Sequence, residues 1–426
     1  MTHSSFRDGS VFVTNEDDDG VSLETRAGAS IAVDKSLRHG ISGARAVAKH
    51  VGVAKDGRLD YMAVRFDRPV TTSAVFTRSL CPSPAVVFDR TTVAGGAIEL
   101  LSVVSKNANL FTPSAEDDFG RVVRALSGEF GVPEERMLVS FTGVIGAKLP
   151  IDKVLAGIAG SSKELGNDAF DRASEAIMTT DKRPKCASVR VGDVVVSGFA
   201  KGAGMVEPNL ATMLVYLFTN AAVDKAWLDA ALKRCADKTF NALSVDSDTS
   251  TSDTVAVFAT GDVKVSGDAL ADLESALFAV CLSLTRRIAR EAEGATKLIE
   301  VTVRLATSSD DALHFAKKVL NSPLVKTAIF GSDPNWGRVV AAIGKPAYGS
   351  PLIAVDRKRL VIRLLGQTVY DGQARDIVDT QKLAERMRSS ATVPIEVVIG
   401  TPVYSRTVWG SDLSTEYVLE NSSYTS

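Results

Sequence analysis

Leu270, Leu273, Leu277, Val280, Leu284 and Ile288 step along the chain by threes and fours, which sets them on one face of a single long helix. A helix with one apolar stripe has to bury it on another layer of structure, and strand signals flank this one on both sides. Apolar residues alternate over 59–75, with Tyr61, Ala63 and Arg65 set against Met62, Val64 and Phe66. Buried-strand runs occupy 98–104 and 137–141, the second ending in Thr142-Gly143. Val189 and Val191 precede Gly192-Asp193, and Val194-Val195-Val196 follow, which is a hairpin pattern. Further strands are predicted over 211–218, 298–305, 353–355, 361–365 and 395–399, and helices over 117–130 and 311–320. Strands and helices do not alternate in a regular βαβ rhythm, so mixed α+β layers are expected and a doubly wound sheet is not. Residues 1–40 are polar and weakly periodic, and read as a mobile or loosely docked extension.

Length and charge narrow the function classes. The 426 residues, 45% hydrophobic and 23% charged, make a soluble globular composition large enough for two or three domains or one domain with two lobes. A formal net charge of −2 gives no bulk electrostatic reason to expect nucleic acid or an anionic membrane as partner. Cys81, Cys186, Cys235 and Cys281 form no CxxC and no metal-ligand spacing, and suit buried free thiols in a reducing compartment. The acidic start (Glu16, Asp17, Asp18, Asp19) has no apolar core, so it is no secretory signal. The longest uncharged stretch, 208–223, is short of the roughly 18 apolar residues that a membrane span needs. A cytoplasmic protein is expected.

The chain contains no GxxxxGK[ST], no GxGxxG after a strand, no GxSxG and no HExxH. Its histidines are His3, His39, His50 and His314, none placed as a catalytic base. Ser-His-Asp and Cys-His chemistry are therefore disfavoured, and metal hydrolysis lacks ligands. One nucleophile needs no histidine: an N-terminal threonine, whose own α-amine titrates near ~7.7–8 and lies within reach of its hydroxyl. An internal threonine gains that amine only when the preceding peptide bond is cut. The segment Lys201-Gly202-Ala203-Gly204-Met205-Val206-Glu207-Pro208-Asn209-Leu210-Ala211-Thr212-Met213-Leu214 offers glycines for close backbone approach and a small residue before Thr212. On these residues alone, a loop entering a buried strand is the favoured reading.

That segment closely resembles the KGSGMIxPNMATML signature of the ornithine acetyltransferase family. Collinear matches follow it along the chain: Thr142-Gly143-Val144-Ile145-Gly146, Met178-Thr179-Thr180-Asp181, Ser244-Val245-Asp246 through Asp253-Thr254, and Glu293-Gly294-Ala295-Thr296-Lys297. Asn321-Ser322-Pro323-Leu324-Val325-Lys326, Asp333-Pro334-Asn335-Trp336-Gly337-Arg338 and the terminal Asn421-Ser422-Ser423-Tyr424-Thr425-Ser426 complete the set, which spans roughly 45–426. The resemblance implies a layered αββα-like sandwich of the ornithine acetyltransferase and β-peptidyl aminopeptidase type, in two lobes. It implies autocatalytic cleavage between Ala211 and Thr212, giving an α fragment that ends at 211 (41–211 after the polar extension) and a β fragment of 212–426, assembled as α2β2. Thr212 is then the nucleophile, and Thr142 with Gly143 the oxyanion site. Thr179, Thr180, Lys201, Thr212, Glu293, Asn421 and Ser426 are the implied substrate contacts, with Lys201 suited to a carboxylate and Glu293 to an ammonium. The stretches 244–254 and 333–338 read as structural support for the site.

The implied reaction is ping-pong transfer of an acetyl group from N-acetylornithine to glutamate through an acyl-threonine, with no cofactor and no metal. The sequence departs from the family pattern at Phe141, at Ser332, at Ser426 and over 111–114, which bears on donor and acceptor rather than on the nucleophile. Members in antibiotic gene clusters resemble this pattern too, so a related acyl transfer in secondary metabolism is one alternative. A self-processing amidase or aminopeptidase of the same fold is a second, and a scaffold that never processes is a third.

Overall fold

The computed structural model describes residues 11–15, 20–207, 213–305, 307–346, 355–372, 379–401 and 403–422. Near the N-terminus β1 (Val11–Asn15), β2 (Gly20–Glu24) and β3 (Ser30–Ala32) form a small antiparallel sheet. Val11, Val13, Val21 and Leu23 are buried in one cluster with Leu277 and Phe278. The front stretch, expected to be mobile or loosely docked, is over its described part a sheet pinned to the core. Its apolar alternation is only a few residues long on each strand and is interrupted by acidic residues, which hides it from a periodicity reading.

The main body comprises, in order, β4 (Ala44–Lys49), β5 (Tyr61–Phe76), α1 (Pro84–Ala94), β6 (Ala97–Asn107), α2 (Ala115–Phe130), β7 (Met137–Val144), α3 (Ile151–Ile158) and α4 (Phe170–Ala176). The hairpin of β8 (Lys185–Val191) and β9 (Val194–Lys201) follows, then β10 (Leu214–Ala222), α5 (Lys225–Lys238), β11 (Thr254–Lys264) and α6 (Asp268–Arg290). One eight-stranded sheet runs β7-β6-β5-β11-β10-β9-β8, with β4 also paired to β5. Local sequence sets the helix ends: Glu116, Asp117 and Asp118 in the first turn of α2 favour its N-terminus. Arg287 and Arg290 do the same for the C-terminus of α6.

β5 bends, and the bend makes the layers. Tyr61 to Arg65 pair with β6 and Thr71 to Phe76 with β11; the register breaks between Arg65 and Val70, where Asp67, Arg68 and Pro69 are exposed. The two halves of the sheet thereby face each other. Met62, Val64 and Phe66 from one half meet Tyr216, Phe218 and Phe258 from the other in one buried cluster, with the Phe66 and Phe258 ring centroids 5.0 Å apart. Outside the first half, Tyr61, Ala63, Leu100 and Val139 pack on Phe119, Val122 and Leu126 of α2 and on Val154 and Ile158 of α3. Outside the second, Val215, Leu217, Val255 and Val257 pack with Leu228, Leu232, Leu277 and Leu284 of α5 and α6. Helix, sheet, sheet, helix is the αββα order expected from the sequence.

The second lobe continues with β12 (Leu298–Leu305), α7 (Ser309–Leu320), α8 (Pro323–Phe330), α9 (Trp336–Ile343), β13 (Val361–Leu364) and β14 (Gln367–Tyr370). It ends with α10 (Thr380–Ser389), β15 (Thr392–Ile399), β16 (Tyr404–Ser411) and α11 (Thr415–Ser422). Its sheet runs β14-β13-β15-β12-β16. The core is continuous with the first lobe through α6, and the buried Arg286 guanidinium donates to Glu300 (2.6 Å), which also accepts from Trp409 Nε1 (2.9 Å). Of the strand expected at 353–355, residues 353–354 lie outside the described set and Val355 belongs to no strand. Cys186, Cys235 and Cys281 are buried free thiols as expected, whereas Cys81 is exposed. No described helix is long and apolar enough to cross a membrane.

Candidate active site

Three strand ends converge on one rim. β6 and β7 run parallel, so they deliver Asn107 and the Thr142-Gly143 pair side by side. Gly143 has φ +133°, and a β-carbon there would stand 2.6 Å from Lys106 Cα. Only glycine fits this crossing, which gives the Thr-Gly pair a steric reason. β9 ends at Lys201, opposite Leu214, the first residue of β10. The Thr254 N–H donates to the Met213 carbonyl (3.0 Å).

Among the described residues, the segment after β9 is anchored as far as Glu207. Asp246 accepts from the Met205 N–H (2.6 Å) and the Val206 N–H (2.8 Å). Burial pushes the Asp246 carboxyl above its usual range, although the N–H groups of Val206, Asp248 and Met205 oppose that. Glu207 donates its N–H to the Asp248 carbonyl (2.9 Å), and its carboxylate accepts from Ser244 Oγ (2.8 Å), Lys317 Nζ (3.4 Å) and Asn321 Nδ2. The 244–254 stretch, expected to support the site, thus braces the loop, and its Ser250, Thr251 and Ser252 line the cavity described next. Ala211, Thr212 and Ser426 lie outside the described residues.

A cavity of about 120 Å³ gathers Thr142, Gly143, Thr179, Thr180, Lys201, Glu293 and Asn421 on its wall. These are all the nominated oxyanion and substrate positions among the described residues, drawn from β7, β9 and the turns after α4 and α6, together with α11. Thr179, Thr180, Glu293 and Asn421 also face an adjoining cavity of about 930 Å³, whose wall includes Arg58, Lys106, Lys148 and Lys153. Glu293 and Lys201 are each 9% exposed. Asn421 Nδ2 donates to Glu293 Oε2 (2.9 Å), and the Glu293 N–H donates to the Ala203 carbonyl (2.9 Å).

Asp181 is the polar hub beneath the wall. Its Oδ1 accepts from Lys185 Nζ (2.6 Å) and the Gly202 N–H (2.8 Å), and its Oδ2 accepts from the Thr179 N–H (3.1 Å). Burial raises its carboxyl, but the Lys185 and Lys201 charges and the Gly202 N–H outweigh that and hold it at about 2. Burial pushes the Lys201 ammonium down, and Asp181 and Asp253 pull it back up. Asp181 closes the 178–181 motif, whose pattern alone assigns it no role.

Lys106, on the wall of the adjoining cavity, is a further charged group that no motif marks. Its Nζ donates to the Met178 carbonyl, and burial, then Arg58, push it down to about 8. The 333–338 motif lies on neither cavity wall. Arg338 Nη1 donates to the Leu324 carbonyl (2.7 Å) and Thr327 Oγ1 (3.1 Å), so the motif locks α9 to α8. Among the described residues no histidine lines either cavity. Chemically, the small cavity offers a hydroxyl and a backbone N–H for an oxyanion, a buried ammonium for a carboxylate, and a carboxylate for an amine.

Residues 45–426 match the ArgJ family. Over 382 residues the chain is 42% identical to the glutamate N-acetyltransferase Oat2 of Streptomyces clavuligerus, covering 88% of this chain and 95% of that one. Over 377 residues it is 39% identical to the arginine biosynthesis bifunctional protein ArgJ of Rhodococcoides fascians, covering 88% and 92%. The crystal structure of the arginine biosynthesis bifunctional protein ArgJ from Bacillus halodurans aligns at 34% identity over 50% of this chain and 100% of that one, with a TM-score of 0.47. By the extent of the family match and the identity to these relatives, the chain belongs to the ArgJ family.

Proposed function

We propose that this protein is a self-processing N-acetyltransferase that carries an acetyl group from N-acetylornithine to glutamate on Thr212. The reading is carried by one observation: seven residues nominated from distant motifs share the wall of a single cavity. Its wall also includes Gly204 and Met205, in the loop that leads from β9 toward the Ala211–Thr212 bond. Cleavage there gives an α fragment ending at 211 and a β fragment, 212–426, whose first residue supplies both hydroxyl and amine.

In the first half-reaction the Thr212 amine takes the hydroxyl proton as Oγ1 attacks the acetamide carbonyl. Thr142 Oγ1 and the Gly143 N–H receive the developing oxyanion, a contribution of roughly 3–4 kcal/mol per donor in such sites. The protonated amine then gives its proton to the leaving nitrogen, and ornithine departs. Glutamate attacks the acyl-threonine by the reverse sequence. Lys201 holds the substrate carboxylate and Glu293, steadied by Asn421, the ammonium. The fragments remain together and pair as α2β2. The place of work is the cytoplasm.

The test is mass analysis. Freshly expressed protein is expected as two fragments on denaturing electrophoresis, and Thr212→Ala as one inactive band. Mixing with N-acetylornithine should make the 212–426 fragment heavier by one acetyl group. Acetyl release to water without transfer to glutamate would instead favour an amidase, and an intact active chain would overturn the reading altogether.

A further inference from the structure

We propose that Asp181 is a positioning residue for acyl transfer: it ties the Thr179-Thr180 turn to the loop after Lys201 and supplies the negative charge that keeps Lys201 an ammonium for the substrate carboxylate. The inference rests on the substrate role given to Lys201 above. Three observations carry it. Asp181 is 3% exposed, yet among the described residues only one of its hydrogen bonds goes to a charged side chain, Lys185. The remaining two go to backbone N–H groups of separate segments: Thr179, on the cavity wall after α4, and Gly202, next in the chain to the wall residue Lys201. Lys201 lines the same cavity as Thr179.

A buried Asp–Lys pair that served packing alone would be interchangeable with apolar side chains of like volume. Here two lysines, 185 and 201, share the influence of one carboxylate. The charged groups facing Lys201 are Asp181 from the turn after α4, Asp253 at the entry to β11, Lys185 on β8 and Glu293 after α6. Asp181 and Lys185 therefore act on Lys201 with opposite sign, while both belong to the same buried network. A structural role gives the two residues the same consequence when either is lost. An electrostatic positioning role gives opposite ones.

The experiment is the pH profile of kcat/KM for N-acetylornithine in wild type, Asp181→Asn and Lys185→Gln, with Lys201→Met as reference. The alkaline limb reports loss of the Lys201 proton; the substrate's own ammonium titrates identically for every variant. Asp181→Asn keeps an oxygen for Gly202 and removes the charge, so the limb should move to lower pH by roughly one unit or more, with KM raised more than kcat is lowered. Lys185→Gln removes a repelling cation, so the limb should move to higher pH. Lys201→Met should raise KM. If Lys201→Met raises KM while both other variants shift the limb the same way, or neither shifts it, the inference fails alone. If Lys201→Met leaves KM unchanged, the substrate role of Lys201 fails and the inference with it. Should Asp181→Asn not fold, the upward shift in Lys185→Gln decides by itself.

Discussion

Gly204 lies directly against the Glu293 carboxylate: a β-carbon at position 204 would stand 2.6 Å from Glu293 Oε1. The glycine of the loop and the acid of the site are in close contact, so a side chain at 204 would have to push the Glu293 carboxylate aside. Gly204→Ala should therefore displace Glu293 from its bond with Asn421 and raise KM for the amino-acid substrates by roughly tenfold or more, with a smaller change in kcat. Steady-state kinetics on the processed enzyme checks this. An unchanged KM would remove Glu293 from the substrate-binding set.

Gly143→Ala acts on the other side of the cavity. The positive φ and the crossing of the Lys106 backbone leave no room for a side chain, so the Thr142-Gly143 donors must move. A fall in kcat of about a hundredfold is expected, with little change in KM, as for loss of an oxyanion donor. The same variant should slow self-cleavage, since that step builds an oxyanion at the neighbouring carbonyl.

Glu207 bears on processing. Its carboxylate holds Ser244, Lys317 and Asn321 immediately before Pro208. Glu207→Gln should loosen the approach to the Ala211–Thr212 bond and slow fragment formation by roughly tenfold, a misplacement effect. Molecules that have already been cut should keep a normal KM. A time course on denaturing gels after synthesis measures the first quantity, and kinetics of the purified fragments the second.

Lys326 offers a test of stability against pH. Its Nζ donates to the Ser411 carbonyl, and burial, only partly offset by Asp412, Asp246 and Glu207, pushes it down to about 8. The unfolded chain binds this proton up to about 10.4, so between pH 8 and 10.4 unfolding takes up a proton and native stability rises with pH. Wild type should gain on the order of 3 kcal/mol relative to Lys326→Met across that window. Chemical denaturation at both ends checks it, and parallel curves would show that the lysine is charged in the fold.

The legible parts of the fold were those with a period. The six-residue stripe of 270–288 is α6, the alternation from residue 59 is β5, and 298–305 is β12. β11 went unread because Thr254 to Ala259 is apolar on both faces, with aromatic packing on one side and α6 on the other, so it shows no alternation. The bend at Asp67-Arg68-Pro69 that doubles the sheet was visible only as a proline within a strand. The residues that share the small cavity's wall were legible through motif order, since no local feature links Thr142 to Asn421. Asp181 was not legible, because its function depends on two backbone N–H groups from segments that come together only in the folded sheet.

The strand order β5-β11-β10-β9 has a consequence for the life of the molecule. β9 precedes the Ala211–Thr212 bond, whereas β10 and β11 follow it and are wedged between β9 and β5. A break at that bond leaves a two-stranded ribbon from one piece locked within the sheet of the other, so the halves stay interlaced without a covalent tie. If the chain is cut as proposed, the pieces fold while they are one chain; afterwards, a piece stripped out by denaturant would have to rethread the middle of a sheet that cannot close without it. Heat or urea should thus inactivate the cut enzyme for good, while the uncut Thr212→Ala chain recovers its shape on cooling or dilution.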